Sequence, residues 1–304
     1  MTQSPLTQSP PIRVIDRQTG QVFDEVVMGE KYIRWAYQDA RSGWLSRLLF
    51  GSHAVSRMMG LYYDSPLSRA RIAPTIRDLG IDESEFLEPT DSFGSFNAFF
   101  VRHLKPEARP WSRDPRDVVS PADGRVLVFP AMDDGTFAPV KGYPFSLRAL
   151  LPGLAERFVG GALAIVRLCP ADYHRYHYPV AGRIVARRDI PGALHSVNPI
   201  ALGSGADVFG ANARSVTLIE TPAAGTVAFV EVGAFGVGSI VQTHAGAQAA
   251  KMEEKGYFKF GGSTVVLVFE PGRIAFSPDL VAHSAEGLET LVKVGETIAT
   301  VTAG

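Results

Sequence analysis

FKFGGSTVVLVFE, residues 258–270, places two glycines and a serine between an aromatic, basic lead-in and a run of five apolar residues. Residues 265–269 are typical of a short buried strand, and Gly261 and Gly262 of the turn before it. In that interpretation Ser263 only begins the strand. A serine that follows a glycine in a tight turn can also reach the carbonyl group of that glycine, which is the geometry of a self-cleaving peptide. Other segments of the chain must distinguish the two interpretations.

The composition favours a large folded chain with many turns. Of its 304 residues, 46% are hydrophobic and 20% charged, which is enough for one large domain or two smaller ones. The 30 glycines and 21 prolines favour short strands over a helix bundle. From residue 116 onward, short apolar segments alternate with turns. The predicted fold class is α+β, with a mostly antiparallel β core that resembles a barrel or a sandwich, and a helical region before it.

Three regions follow from this pattern. Residues 1–29 are predicted to form a disordered tail and a hairpin, residues 30–95 a helical region, and residues 96–304 a β-rich domain that carries the candidate catalytic side chains. Residues 31–80 contain eight basic and three acidic side chains, a net charge of +5, with apolar residues at helical spacing. Such helices can pack their apolar stripe on the core, or lie at an anionic lipid surface as a membrane-associating region. Both interpretations stay open.

The remaining composition limits the location and the partners. Cys169 is the single cysteine, which excludes an intrachain disulfide and fits a reducing cytoplasm. No stretch reaches the roughly 18 apolar residues of a spanning helix, and the N-terminus lacks the apolar core of a signal peptide. The net charge of −1 gives no reason to expect nucleic acid. A protein that is soluble or attached to a membrane surface is predicted.

Two histidines stand in the motif CPADYHRYHYPVAG, residues 169–182. His174 and His177 are three residues apart in a short segment bounded by prolines, so they are predicted to share one face. No acidic residue or cysteine stands at a recognisable metal spacing from them, so no metal is predicted. Structural histidines and acid/base chemistry are the remaining interpretations, and the rigid placement of two imidazoles favours acid/base chemistry.

The motif SPADGRV, residues 120–126, supplies a carboxylate. Its Asp123-Gly124 pair between apolar runs is also a common hairpin signal, so a purely structural aspartate is one interpretation. The other is a triad in which Asp123 orients His177, and His177 removes the proton from Ser263. Each of these signals alone is weak. Their occurrence in one chain is what makes them specific.

With these motifs the sequence resembles the phosphatidylserine decarboxylases, which are pyruvoyl-dependent enzymes of membrane surfaces. The resemblance covers nearly the whole chain, and SPADG, YHRYHYP and GST in that order are its most specific part. Its other segments are IRVIDRQTGQ (12–21), FFVRHLKPEARP (99–110), KGYPFSL (141–147), HSVNPIAL (195–202), FGANARSV (209–216), GAFGVGSI (233–240) and GYFKFGGSTVVLVFE (256–270).

The resemblance implies an enzyme that converts phosphatidylserine to phosphatidylethanolamine and carbon dioxide. Loss of carbon dioxide from an α-amino acid head group leaves a carbanion, which needs an electron sink. A pyruvoyl group would supply it through a Schiff base to the substrate amine. The resemblance implies that self-cleavage of the Gly262–Ser263 bond forms this group, leaving a large chain, 1–262, and a small chain, 263–304. In the same way it implies three partners, phosphatidylserine in a membrane, the enzyme's own two chains and a homodimer partner, and a peripheral location at the cytoplasmic face of the cell membrane.

Roles carry over from the family to matching positions. Ser263 becomes the pyruvoyl cofactor, Asp123 and His177 complete the self-processing triad, and His174 assists decarboxylation or reprotonation. The sequence departs from the family pattern at Gly261, where many relatives have Leu and where the turn should be looser. It also departs at Ala213, where relatives often carry Glu, which puts any role of that carboxylate in doubt here.

Two other functions are compatible with the sequence. A serine hydrolase could use the same Asp123, His177 and Ser263, but a G-x-S-x-G elbow is absent because Val265 stands two residues after the serine. The C-terminal tail LVKVGETIATV resembles strands of non-enzymatic lipoyl or biotinyl carrier modules, with Lys293 as the residue to be modified. It lacks the usual flanking motif.

Overall fold

A computed structural model describes residues 12–28, 53–140, 143–202, 207–234, 240–261 and 263–302. Some of the sequence expectations concern residues outside these ranges. They are the tail up to residue 11, the part of the helical region between 29 and 52, and Gly262 at the predicted cleavage site.

The helices and strands of the described residues are short. The strands are β1 (Arg13–Asp16), β2 (Val22–Asp24), β3 (Asp117–Val119), β4 (Gly124–Phe129), β5 (Thr136–Val140), β6 (Tyr143–Ser146), β7 (Leu163–Leu168), β8 (Arg175–His177), β9 (Gly182–Ile190), β10 (Arg214–Thr221), β11 (Gly225–Gly233), β12 (Ile240–Gln242), β13 (Gln248–Ala249), β14 (Glu254–Phe258), β15 (Ser263–Phe269), β16 (Ile274–Phe276), β17 (Glu289–Val292) and β18 (Thr297–Val301). The α-helices are α1 (His53–Asp64), α2 (Ile72–Leu79), α3 (Phe96–Phe100), α4 (Leu147–Leu150), α5 (Pro199–Leu202), α6 (Val208–Ala211) and α7 (Pro278–Ala285). Short 3₁₀ helices span Pro66–Arg71, Glu83–Glu85, Thr90–Ser92, Pro106–Ala108 and Ala155–Phe158.

The largest sheet has ten strands in the order β13-β9-β10-β11-β15-β7-β4-β17-β1-β2. Its neighbouring strands are antiparallel, except that β1 runs parallel to β17. The sheet is open, because β13 and β2 lie at its two ends and do not pair with each other. The prediction of an α+β protein with mostly antiparallel strands is therefore confirmed. A barrel is wrong for the described strands, since none of their sheets closes.

Strand β15 lies near the centre of this sheet and is buried along its whole length. Val265, Leu267 and Phe269 belong to one core, which is shared with the small sheets β12-β14-β8 and β16-β18-β3. Val266 and Val268 belong to a second core, which is covered by the hairpin β5-β6 and by α4 and α6. A continuous apolar run is what a strand covered on both faces requires. The run at 265–269 thus places the start of β15 deep inside the molecule.

The N-terminal hairpin is part of the main sheet. Strands β1 and β2 are antiparallel, with Arg13 opposite Asp24, and β1 continues the sheet by pairing with β17 near the other end of the chain. A separate, largely aromatic core joins α1, α2 and α3. Its buried members are Tyr63, Ile72, Ile76, Phe86, Phe93, Phe96, Phe99 and Phe100. Among the described residues, none of the helices has both the length and the apolar character needed to cross a bilayer.

Two local expectations from the sequence are wrong. Asp123-Gly124 does not turn a hairpin, because β3 pairs with β18 whereas β4 pairs with β7 and β17, in another sheet. His174 and His177 do not share a helical face, because His177 ends the strand β8 and His174 lies just before it, outside any helix.

Candidate active site

Ser263 is the first residue of β15, at the centre of the main sheet. It pairs with Gly233 of β11 and with Leu168 of β7. The residue is 1% exposed, and its Oγ has no hydrogen-bond partner. An unpaired buried hydroxyl costs free energy in a folded protein, so it is a candidate for a chemical role. Two residues earlier, Gly261 has a φ of 146°, a backbone conformation that glycine adopts without steric cost.

His177 ends strand β8, and its imidazole is enclosed. Its Nδ1 donates a hydrogen bond to the carbonyl of Met252 at 3.1 Å, and its Nε2 is buried without a partner. Since a carbonyl oxygen only accepts, Nδ1 carries the hydrogen of the neutral ring and Nε2 is the free acceptor. Burial lowers the pKa of His177, against the opposing effects of the Met252 bond and of the charges of Glu254 and Asp123. His177 is therefore a neutral base at physiological pH.

His174 has the same hydrogen-bond arrangement. It is 0% exposed, its Nδ1 donates to the carbonyl of Asp172 at 2.9 Å, and its Nε2 has no partner. Its ring lies on that of Phe100, with 3.8 Å between the ring centroids. Burial lowers the pKa of His174 to about 3. This ring is neutral across the physiological pH range.

The carboxylate of Asp123 accepts hydrogen bonds from an arginine side chain and from a backbone N–H group in the C-terminal part of the chain. Arg109 donates from Nε to Oδ1 at 2.9 Å and from Nη2 to Oδ2 at 2.6 Å. The backbone N–H of Val294 donates to Oδ1 at 2.8 Å, and Arg109 also donates to Glu85 at 2.9 Å. The hydrogen bonds of Asp123 are thus made with Arg109 and Val294, and His177 is not among its partners.

The backbone nevertheless brings the predicted site segments together. The N–H of His177 donates to the carbonyl of Pro121 at 2.8 Å, so the SPADG segment runs beside β8. The N–H of Phe258 donates to the carbonyl of His174 at 2.9 Å, so β14, which precedes the nucleophile, runs beside the same segment. The negative charge of Asp123 favours the protonated form of both imidazoles and so opposes the lowering of their pKa by burial. Asp123, His174 and His177 therefore lie in one region, beside the segment that leads to Ser263, although no hydrogen bond joins the side chains of any two of these four residues.

An aromatic cluster fixes the segment that leads to Ser263. Phe260 lies against Tyr63, Phe96 and Phe100, with ring centroids 4.3, 5.1 and 5.2 Å away. Its backbone N–H donates to Oδ1 of Asn97 at 2.9 Å. Helices α1 and α3 therefore form the wall against which this segment is held.

A buried ionic network lies along β7 and ties the two ends of the chain to it. Arg167 donates to Glu289 of β17 at 2.9 Å and pairs with Glu25, after β2, at 2.9 Å. The thiol of Cys169 donates to the same Glu25 at 2.7 Å. Burial raises the pKa of Cys169, so its thiol stays protonated. This network is structural, and it connects the predicted small chain to the large one.

Sequence reasoning missed three residues that hold the site in place. Arg109 binds Asp123, and the carbonyl of Met252 binds His177. The side chain of Asn212 donates to the carbonyl of Gly233 at 2.7 Å, next to the start of β15. Arg109 and Asn212 lie inside the motifs FFVRHLKPEARP and FGANARSV, and membership in these motifs is the sequence feature that could have identified them. No pattern marks Met252, because its contribution depends on backbone conformation.

The described residues give no support to a metal centre or to a modified lysine. They contain no group of three or more His, Cys, Asp or Glu that could hold a metal ion. Lys293, the candidate residue of a carrier module, donates to Glu85 at 2.9 Å. Its amino group is thus engaged in an ion pair.

Comparison with known proteins gives one family. Residues 96–300 match the family model described as phosphatidylserine decarboxylase. The phosphatidylserine decarboxylase proenzyme of Chlamydia muridarum is 43% identical over 287 residues, which are 93% of this chain and 95% of that protein. The protein of the same name from Chlamydia trachomatis serovar L2 is 42% identical over 287 residues, with the same two shares. The one from Clostridium kluyveri is 40% identical over 290 residues, 94% of this chain and 98% of the relative.

Proposed function

Because the chain belongs to the phosphatidylserine decarboxylase family of carboxy-lyases, we propose that it cleaves its own Gly262–Ser263 bond and then converts phosphatidylserine to phosphatidylethanolamine and carbon dioxide. One observation carries the proposal. The Oγ of Ser263 and the Nε2 atoms of His174 and His177 are all buried and all without hydrogen-bond partners. A buried nucleophile and two buried, free proton acceptors suit the removal of a proton from a serine hydroxyl.

In the proposed processing, His177 is the base and Asp123 supplies a nearby negative charge that favours the protonated ring. His177 accepts the proton of Ser263 at Nε2, and Oγ attacks the carbonyl carbon of Gly262. The peptide C–N bond breaks, its nitrogen takes a proton, and an ester joins the two parts of the chain. Loss of the α-proton of Ser263 then expels the carboxylate of Gly262 and leaves dehydroalanine. Water converts this residue to pyruvoyl with release of ammonia.

The residues around position 263 fit a pyruvoyl group. The position begins a strand that is paired on both sides, so the new chain terminus stays fixed, and no hydrogen bond has to be broken to change the side chain. When formed, the group supplies the electron sink for the carbanion left by loss of carbon dioxide. We assign His174 to this second stage, where its free Nε2 can assist decarboxylation or reprotonation. Its packing on Phe100 keeps the ring away from water.

The proposal predicts two polypeptides in the purified protein. Intact mass measured under denaturing conditions should give one species that ends at Gly262 and one that begins with pyruvoyl in place of Ser263. Under native conditions the two should migrate together, because β15 pairs with β7 and β11, and β17 pairs with β1 and β4. A single chain of 32.8 kDa from a preparation that decarboxylates phosphatidylserine would overturn the proposed mechanism.

Peripheral attachment to a membrane is part of the proposal, and the surface around α1 supports it. Met58, Leu61 and Leu67 are 65%, 66% and 80% exposed, and the exposed Arg57 and Arg69 lie among them. Exposed apolar side chains with interspersed arginines suit a bilayer that contains anionic lipid. Such lipid is concentrated in the cytoplasmic leaflet, which makes this face of the membrane the proposed location. The homodimer implied by the family resemblance stays a prediction.

The variant Leu61→Ser/Leu67→Ser should bind vesicles containing phosphatidylserine about tenfold more weakly or worse, since two leucine side chains no longer enter the lipid. Co-sedimentation at several salt concentrations measures this, and the binding of the unmodified protein should weaken as salt rises. Val185→Ser is the matched control, because Val185 is 40% exposed on β9. Equal binding by the double variant and the control would contradict attachment through this surface.

A further inference from the structure

Met252 has an unusual backbone conformation next to the proposed base. Its φ is 64°, and among the described residues it is the one non-glycine with a positive φ. A side chain in this left-handed region crowds the backbone, so the surrounding contacts must hold it there. Such strain is often found where a site needs a backbone group aimed in a particular direction.

Hydrogen bonds to the neighbouring segment hold Met252 in place. Its N–H donates to the carbonyl of Tyr178 at 2.9 Å, and the N–H of Tyr178 donates to the carbonyl of Glu253 at 3.0 Å. The N–H of Glu253 also closes a turn onto the carbonyl of Ala250 at 3.1 Å. With these bonds made, the Met252 carbonyl points at the imidazole of His177 and accepts its Nδ1 hydrogen.

The Met252 carbonyl makes the hydrogen bond that a triad would assign to the carboxylate of Asp123. In a triad the third group holds the base in the tautomer whose other nitrogen is free. Here Arg109 donates to both oxygens of Asp123, and Val294 donates to one of them. The carbonyl of Met252 occupies Nδ1 of His177 and leaves Nε2 free.

We propose that Met252 is a positioning residue: its left-handed backbone aims its carbonyl at His177 and so fixes the tautomer and the orientation of the base for self-cleavage. This inference rests on the proposed role of His177. Asp123 then acts through its charge and through its bonds to Arg109 and Val294, which join the SPADG segment to the C-terminal part of the chain.

Two substitutions of Met252 separate its backbone from its side chain. Met252→Gly removes the side chain and permits the left-handed conformation, whereas Met252→Val removes only the outer part of the side chain and strongly disfavours that conformation. The glycine variant should cleave within about twofold of the unmodified rate. The valine variant should cleave about tenfold to a hundredfold more slowly, because a displacement of about 1 Å at a reacting group has effects of that size.

The pH profile of cleavage gives a readout that a merely structural role would not move. The charges acting on His177 come from Glu254, Asp123 and Arg175, and the Met252 bond favours the protonated ring. When that bond is weakened, the pKa of His177 falls further, so the acidic limb of the profile should shift to lower pH in Met252→Val only. The time course of cleavage of freshly synthesised chain at each pH measures both quantities.

The outcomes separate this inference from the proposed function. Unmodified rate and pH profile in Met252→Val would overturn the positioning role, and so would equal slowing of the valine and glycine variants. If Met252→Val does not fold, as judged by thermal unfolding, the comparison is made with Met252→Ala against Met252→Asn, since asparagine tolerates the left-handed region better than alanine. Normal cleavage by His177→Ala would instead overturn the proposed role of His177 as the base, and a single uncleaved chain from a preparation that decarboxylates phosphatidylserine would overturn the proposed function itself.

Discussion

The variant His177→Ala is expected to accumulate as an uncleaved chain, whereas His174→Ala is expected to be cleaved and yet to lack decarboxylase activity. Removal of a general base costs roughly 10²–10⁴-fold in rate, which would leave most of the precursor intact over hours. His174 packs on Phe100 and is assigned to the second stage, so its loss should spare the first stage. Gel electrophoresis of the fresh chain follows cleavage, and release of carbon dioxide from phosphatidylserine follows catalysis.

The control for the two histidine variants is His103→Ala. His103 is a surface histidine that interacts with Glu88 and lies outside the proposed site, so neither stage should change. Added imidazole should restore part of the cleavage in His177→Ala, because the truncated side chain leaves room for it. The opposite pattern, with His174 needed for cleavage and His177 for decarboxylation, would exchange the two roles. Normal cleavage and activity in both variants would remove acid/base chemistry from these residues.

The acid dependence of cleavage follows from the environment of His177. Burial lowers the pKa of this histidine below 6.5, its ordinary value, so the neutral base persists in more acidic solution than a surface histidine would. Self-cleavage should therefore keep its rate as the pH falls through 6.5 and decline only below it. A decline centred at or above pH 6.5 would contradict a buried imidazole as the base.

The sequence predicted local elements well where one pattern dominated. The apolar run at 265–269 can be buried only if both faces of the strand are covered, and β15 is such a strand. The extent of the main sheet, which continues from β17 to β1 and β2, was not predictable in this way. It depends on whether β1 pairs with β17, two segments more than 270 residues apart, and no local pattern encodes that contact.

The site was predictable in its residue types and not in its hydrogen bonds. Asp123, His177 and Ser263 were found as a nucleophile and its usual helpers, by chemistry and by family resemblance. Asp123 is hydrogen-bonded to the side chain of Arg109, and His177 is hydrogen-bonded to the backbone carbonyl of Met252. A backbone carbonyl is present at every residue, so only the conformation of Met252 distinguishes the one that matters.

The variant Lys255→Met is expected to lower the free energy of unfolding by about 3–5 kcal/mol, because it leaves a buried carboxylate without its counter-charge. Lys255 and Glu231 are both 0% exposed and form an ion pair. Gln242 completes the group: it accepts from Lys255 at 2.8 Å and donates to Glu231 at 3.1 Å. Glu231 lies opposite Val265 of β15, so the defect would arise two residues from Ser263. Methionine suits the aromatic surroundings in shape, so the lost charge dominates the effect.

The loss of stability in Lys255→Met should depend on pH with a defined sign. Burial raises the pKa of Glu231 and the Lys255 charge opposes this, so the substitution raises the pKa further. Below its ordinary pKa of 4.5, a carboxyl group is protonated in both the folded and the unfolded chain, and its burial then costs little. When its folded-state pKa is raised, the folded chain loses stability as the pH rises from 4.5 through the folded-state pKa. The loss of unfolding free energy in Lys255→Met should be smallest near pH 4 to 5 and largest at neutral pH. Its size at neutral pH should follow from the rise in the pKa of Glu231.

Chemical denaturation of chains that also carry Ser263→Ala provides the measurement, since these chains should stay uncleaved and unfold as one polypeptide. The matched control is Lys255→Met/Glu231→Leu, in which both charges are replaced by apolar side chains. It should recover most of the lost stability and show little pH dependence, because replacing a buried ion pair as a whole is often neutral or stabilising. If the single and double variants lose the same free energy at every pH, then lost packing, and not the unpaired carboxylate of Glu231, accounts for the defect.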